Sequence, residues 1–440
     1  MPKTLQDAVV ISRHLGLRYL WIDSLCICQD DAEEWARESA SMANVYSNAH
    51  IVIMANHANN SSLGCFHVRE PRPIATITLS RFCEGNENDV TVQGLLLFPN
   101  NEKLWKSGKF ESEPLHRRGW ALQEHVLAKR VLHYNTQQMY FECPHGIIGE
   151  DGCNFASTLP SLNVGEESQL EGANHQTWNS LLWAYGQRKL TKATDKMVAI
   201  SGLAKLFAQQ LGAEYVAGLW SDDLIEGLAW QGLGSGKQLS EASSEYIGPS
   251  WSWANYDGIA ATGVRPKGFK DVAEIKDWHV KVKTDANPYG EVENAWIRIR
   301  APMAKLEPSP IDENEHELRL RGAGLQPYPR MYTRYSDDKN GRVVCLDHRQ
   351  VNDSGEWRQW DLEILMLGGY PKKCKDGTDG KRSGDKEGDI LDSCYCIVVM
   401  KADDSNVTER MKRVGWMFLD ADEAAKVRES EECWRTVTIV

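Results

Sequence analysis

Along the first fifty-five residues the apolar positions change their spacing several times, and each change marks a new element. Leu5, Ala8, Val9 and Leu15 fall on one helical stripe, Thr4 is placed as an N-cap with Asp7 three positions on, and Gly16 stands where a helix ends in a left-handed residue. Residues 17–22 are then short, apolar and almost uninterrupted, as a strand covered on both faces would be, with Asp23 at the carboxyl end. Asp31 with Glu34 offers a second capping arrangement, and Trp35, Met42, Val45 and Tyr46 mark the buried face of the helix that follows. Residues 50–55 read as the next strand. Helix, strand, helix, strand with short links predicts parallel pairing and right-handed crossovers. Asp23 then falls beyond the carboxyl end of a strand, where open sheets collect ligands.

Further along, the period shifts twice more. "DGCNFASTLPSLNVGEESQLEGAN" is polar and turn-rich, after which residues 178–185 and 195–210 read as amphipathic helices. "PSWSWANYDG" closes this part, with Trp251 and Trp253 on one side of an extended segment, either as core anchors or as a stacking platform. Beyond Gly258 the runs "AWIRIRAPM", "LRLRGAG", "RVVCLD", "LEILMLGGY", "CYCIVVMKA", "RVGWMFLD" and "WRTVTIV" are short and β-rich between turns, which predicts a compact antiparallel sheet or barrel. Residues 371–389 hold charge and glycine with almost nothing apolar and are expected to be disordered. The predicted organisation is an α/β domain over 1–150, a helical linking region over 151–258 and a β-rich domain over 259–440.

Composition narrows the function. A net charge of −12, from 50 basic and 62 acidic residues, argues against a phosphate-binding basic face and so against bulk nucleic acid as a partner. No window reaches the ~18 consecutive apolar residues of a membrane span, and the first residues carry no secretory pattern. Eleven cysteines, an odd number thinly spread, fit reduced thiols, and the expected location is the cytoplasm.

Several motif-like runs fail on their chemistry. "GLGSGKQ", from Gly232, lacks the first glycine of a phosphate loop, has Gln238 where a metal-binding hydroxyl is needed, and follows a helix. Cys26 and Cys28, like Cys394 and Cys396, are one residue apart, which suits two thiols on one strand face better than a zinc knuckle. Cys143, His145 and Cys153 lack a clear fourth ligand, so no metal site is predicted. No nucleophile elbow accompanies His116, His125 and His133.

"YLWIDSLCICQDD", "EWARESASMANVYSNAHIVI" and "RRGWALQEHVLAKRVLHY" with "MYFEC" closely resemble the successive signature blocks of the fungal heterokaryon incompatibility domain, in the right order. "YGQRKLTKATDKMVAISGLAKLF", "EYVAGLWSDDLIEGLAW" and "PSWSWANYDG" are similar to segments that follow it in such proteins. Members normally carry a strand of the type Y-x-A-L-S-Y-x-W-G before the "PKTLQDAV" helix. Its absence before Met1 is expected to leave a parallel sheet one strand short, with an exposed or partner-covered edge.

The resemblance implies a fungal protein of non-self recognition that triggers programmed cell death. It also implies an N-terminal domain of the Toll/interleukin-receptor-like, flavodoxin-like type, some relatives of which cleave NAD. A carboxylate beside the ribose could stabilise the oxocarbenium-like state of that reaction. The candidate acids are Asp23, Glu38 and Glu124. Each has a structural alternative: Asp23 as a turn cap, Glu38 and Glu124 as partners of arginines such as Arg118. Glu142 reads as a cross-strand partner. No cofactor is firmly implied, and NAD would be a substrate. Two classes stay open, a nucleotide-cleaving enzyme and a non-enzymatic self-associating signalling module with protein partners; a distant third is an unusual biosynthetic enzyme.

Overall fold

A computed structural model describes the chain except residues 29, 70–73, 84–85, 96–109, 111, 153, 156–162, 165–169, 172, 239–244, 262–267, 309–317, 322–343, 348–359, 372–390 and 403–408. The predicted disorder at 371–389 therefore lies outside the described residues, apart from Pro371. The chain forms two compact units. One comprises Met1–Ile27, Asn48–Ala121 and Ala128–Thr158, the other Cys28–Ser47, Leu122–Leu127 and Leu159–Val440.

In the first unit, helix α1 (Lys3–His14) has Pro2 at its N-cap, so Thr4 does not cap it as the sequence predicted. Thr4 and Asp7 instead anchor the loop that ends at Phe66. The Thr4 hydroxyl accepts the Gly64 N–H at 3.1 Å, and the buried Asp7 carboxylate accepts that of Cys65 at 2.9 Å while pairing with Lys3. Buried loop amides need acceptors, and that need outranks the local cap. Gly64 has φ +84°, and a Cβ there would sit 2.4 Å from Asp7 Oδ2, so this contact admits glycine alone. Gly16, with φ +69°, ends the helix as expected.

Residues 17–22 form no strand. A short apolar run does not specify a strand by itself; a ladder partner does, and none is assigned among the described residues. Asp23 accordingly opens a one-turn helix, Asp23–Cys26. The strand expected at 50–55 is present as β1 (Val52–Met54). It pairs in parallel with β2 (Val131–Tyr134), and the sheet continues antiparallel through β3 (Met139–Cys143), β4 (Gly146–Gly149) and β5 (Asn154–Phe155). Among the described residues this sheet has one parallel pair in place of the flavodoxin-like parallel sheet the sequence predicted, because the links after β2, β3 and β4 are too short for the dozen or so residues a crossover takes. The mixed α/β class holds. Ile11, Cys65 and Tyr134 form the core, with Ile53, Leu132 and Met139 packed against them.

The second unit begins with helix α2 (Ala32–Asn48), whose residues to Ser47 belong to it. Asp31 caps it as predicted: Oδ1 accepts from the amides of Glu33 and Glu34, both at 3.0 Å. Glu34 accepts from the Cys28 amide at 3.3 Å instead of completing a capping box. Helices α3 (Trp120–Val126), α4 (His175–Gly186) and Ser201–Leu211 follow, the last joined to α3 by the Gly202 N–H donating to Gln123 Oε1 at 2.8 Å. Trp251 and Trp253 are both buried. "GLGSGKQ" lies in the strand Gln231–Gln238, paired antiparallel with Tyr256–Ala261, and makes no phosphate loop.

All seven predicted C-terminal runs contribute strands. Val292–Pro308 pairs with Leu362–Pro371 at one end and with Trp434–Ile439 at the other. Leu391–Lys401 and Arg410–Asp420 complete a closed ring between those two. Seventeen residues let one strand serve both sides of the closure. Ala295, Ile297, Ile299, Ala301 and Met303 are buried at every second position. Cys394 and Cys396 share the inner face, and burial pushes both thiols up, that of Cys394 to about 11. Cys26 and Cys28 are exposed, which corrects the expectation of a strand there.

Arg413, on the barrel strand Arg410–Asp420, is fully buried. Its guanidinium donates to Asp347 at 3.1 Å and to the Leu228 and Trp230 carbonyls at 2.8 and 2.7 Å, and it lies 3.5 Å from the Trp230 ring centroid.

Candidate functional site

The structure places the predicted acids in different settings. Asp23 is exposed at the first position of its short helix, and its Oδ1 accepts the Ser24 N–H at 2.7 Å, as a turn-stabilising aspartate does. Glu38 is half-buried on α2, with the Arg37 Nε 3.9 Å from its Oε1. Glu124 is half-buried on α3. Asp23 belongs to the first unit, Glu38 and Glu124 to the second. Glu142 is the cross-strand partner the sequence anticipated: its Oε2 lies 2.8 Å from His133 Nε2.

Around that pair the first unit builds a polar network. His133 is fully buried on β2. Asn56, just past β1, donates from Nδ2 to His133 Nδ1 at 3.0 Å and to Asn135 Oδ1 at 2.6 Å. With the amide in that orientation Nδ1 is the acceptor, so Nε2 carries the hydrogen that Glu142 receives. Both ring nitrogens are then engaged by protein groups. These two contacts fix the imidazole in one tautomer.

Three further groups involve residues on or near β2 and β3. The buried Glu113 accepts from the Thr136 N–H and hydroxyl, both at 2.9 Å. Phe110 packs its ring 4.8 Å from that of His133 and 5.1 Å from that of Tyr140. His57 and His67 stack at 4.0 Å and bond the backbone carbonyls of Tyr134 and Thr136. Desolvation lowers the pKa of His57, and its neighbour His67 acts in the same direction.

Sequence reasoning dismissed His133 and missed Asn56, Asn135 and Glu113. A signal was present: Val131, His133 and Asn135 alternate along one strand, so two polar residues stand where the period calls for apolar ones. Of the weak metal candidates, Cys143 is half-buried, His145 is exposed, and Cys153 lies outside the described residues.

A mixed α/β unit that fixes a histidine and three polar partners inside a short sheet is a scaffold, and its architecture does not name a chemistry. The family model described as heterokaryon incompatibility protein (HET) matches residues 1–124, and the chain is a HET-domain protein over that stretch. No curated protein and no solved structure matches the chain. Among the described residues no helix is long and apolar enough to cross a membrane.

Proposed function

We propose that this chain is a fungal incompatibility effector that signals non-self recognition and cell death by self-association, with no nucleotide cleavage of its own. The HET domain supports the incompatibility role. The observation that carries the self-association is the apolar surface of the segment before Asp23. Residues 17–22 belong to no sheet, yet Tyr19 is 84% exposed and Leu25, just beyond, 61% exposed. These two large apolar side chains left in water, six positions apart, are the material of the docking surface proposed.

A second copy of the chain is the partner that the segment itself fits. Antiparallel pairing of residues 17–22 with their own copy sets Leu17 opposite Ile22, Arg18 opposite Trp21 and Tyr19 opposite Leu20. No two charges meet, the cation faces an aromatic ring, and the contact closes on a twofold axis. Asp23 then acts as the cap that ends the pairing segment, which is the role its bond to Ser24 supports.

The test combines sedimentation equilibrium with growth of a fungal host that expresses the chain. Tyr19→Asp, at an exposed site, is expected to leave melting nearly unchanged, to dissociate the dimer and to abolish killing. Asp23→Asn is expected to preserve both. If Asp23→Asn or Glu124→Gln abolishes killing and NAD loss while association persists, the nucleotide-cleaving reading replaces this one.

A further inference from the structure

Residues 57–67, "HANNSSLGCFH", follow β1 and come back to the exit of β2. His57 donates to the Tyr134 carbonyl twice, from its backbone N–H at 3.1 Å and from ring Nδ1 at 3.2 Å. His67 donates from Nε2 to the Thr136 carbonyl at 2.9 Å. The two rings then lie face to face, with centroids 4.0 Å apart and planes inclined by 29°. Phe66 sets its ring edge-on to that of Tyr134 at 5.7 Å. Tyr134, which packs in the core with Ile11 and Cys65, is 5% exposed, whereas Val68, just past the stack, is 99% exposed. The loop is thus a strap over Tyr134, fastened to α1 by Thr4 and Asp7 and to the end of β2 by the two histidines.

A carbonyl oxygen only accepts, so these bonds fix both tautomers: His57 carries its hydrogen on Nδ1 and His67 on Nε2. The other two nitrogens, His57 Nε2 and His67 Nδ1, are buried and have no hydrogen-bond partner among the described residues. A proton added to either becomes a buried, charged donor with no acceptor, and a proton on both sets two cations face to face. In a lifted loop water solvates the same nitrogens. The open form therefore takes up protons that the closed form resists, and acid favours opening.

The charged groups around the stack do not reverse this. Glu113, held by the Thr136 N–H and hydroxyl, favours a cation at His57, while Arg69 opposes one and is itself paired with Glu150. On the α1 side the Asp7 carboxylate is committed to Lys3 and to the Cys65 amide. Burial pushes the Tyr134 phenol and the Cys65 thiol each up to about 12, so both stay neutral through the acid range. Burial is also the largest influence on His57, and it lowers the pKa from the ordinary 6.5.

We propose that the stacked rings of His57 and His67 are an acid-sensitive latch, which holds residues 57–67 over Tyr134 at neutral pH and, when protonated, releases them and uncovers the apolar face of Tyr134 and Phe66. The sign follows from which form binds the proton. His57 titrates at its ordinary 6.5 in the open loop and lower in the closed one, so opening grows as the pH falls through 6.5 and levels off below the closed-form value. This window lies above that of Asp7, whose carboxylate is still charged there.

Hydrogen exchange of the full chain tests the latch. The backbone amides of His57 and Phe66, corrected for their intrinsic rates, are expected to lose about tenfold of their protection between about pH 7 and about pH 5. His57→Asn combined with His67→Gln sets an amide N–H near each donating ring nitrogen and cannot titrate, and in that protein protection is expected to stay level over the same range. ¹⁵N-labelled histidine supplies a second reading on the unsubstituted chain, which decides the matter if the double variant fails to fold. At neutral pH His57 is expected in the Nδ1–H tautomer and His67 in the Nε2–H tautomer, with both turning to imidazolium as protection falls. Unchanged protection from neutral pH down to about pH 5, a pH dependence that survives in the folded double variant, or protonation of His57 while the loop amides stay protected overturns the proposal.

Discussion

In the first unit, β2 turns His133 inward, the buried Asn135 follows just past its end, and Asn56 and Glu142 close around them. In the second, the inward positions of the strand Val292–Pro308 are Ala295, Ile297, Ile299, Ala301 and Met303. Both strands obey the same period of two, so the difference lies in what each core demands of its neighbours. An aliphatic layer tolerates many packings of similar volume. A network of amide, imidazole and carboxylate depends on one register, and a slip of one residue breaks its hydrogen bonds. The barrel meets its polar demand with discrete ion pairs, Arg413 with Asp347 and Arg435 with Glu363, while the first unit spreads it through a hydrogen-bonded network.

That contrast is broken most severely at the Arg413–Asp347 pair. Arg413→Met leaves Asp347 buried without its cation and frees the carbonyls of Leu228 and Trp230, and is expected to cost about 3–5 kcal/mol in guanidinium unfolding followed by tryptophan fluorescence. Adding Asp347→Asn should recover part of the loss, since no uncompensated charge then remains.

The distributed network should fail more gently. His133→Phe removes the group that joins Asn56 to Glu142 and is expected to cost about 2 kcal/mol. Hydrogen exchange of the β2 and β3 amides reads it locally, and a loss as large as that of Arg413→Met would show the network to be a single unit.

Two titrations sharpen the comparison. Lys196 is buried in the second unit with its ammonium donating to the Tyr256 carbonyl, and desolvation lowers its pKa from 10.5 to about 8. Between those values the unfolded chain holds the proton and the folded one does not, so stability should rise as pH increases from 8 to 10.5. Lys196→Met should abolish that rise in thermal melts.

At Asp7 the fold favours the charged form, and the slope with pH has the same sign. Burial works to raise its pKa, but hydrogen bonds from Lys3, Cys65 and Phe66 together hold it below the ordinary 3.8. Its contribution is complete above that value and is lost as the pH falls through the lower, folded pKa. The smallest of the four effects is therefore an acid-dependent loosening of the loop that ends at Phe66, absent in Asp7→Asn and measured as its exchange rate near pH 3.

The C-terminal strands were legible because their period and their β-branched content agree, as in Ile297 and Ile299 facing in while Arg298 and Arg300 alternate with them. Gly16 and the Asp31 cap were legible because each acts on its own helix terminus. Thr4 and Asp7 were misread for the converse reason: their hydrogen bonds go to a loop more than fifty residues away. Of the candidate site, Glu142 as a cross-strand partner could be inferred, since both strands lie in one short stretch, but Asn56 and its bond to His133, 77 residues apart, could not.

The sequence alone thus determined the class of the elements, the ends of several helices and the membership of the first 124 residues in the HET family. Those features depend on neighbours in the chain. The tertiary structure decided that residues 17–22 stay outside the sheet, that "GLGSGKQ" is a strand, that one strand closes a barrel at both its ends, and that four tryptophans and a histidine line one cleft. Each of these is a choice of partner, and a partner is selected by the burial and hydrogen bonding available in space, which spacing along the chain does not encode.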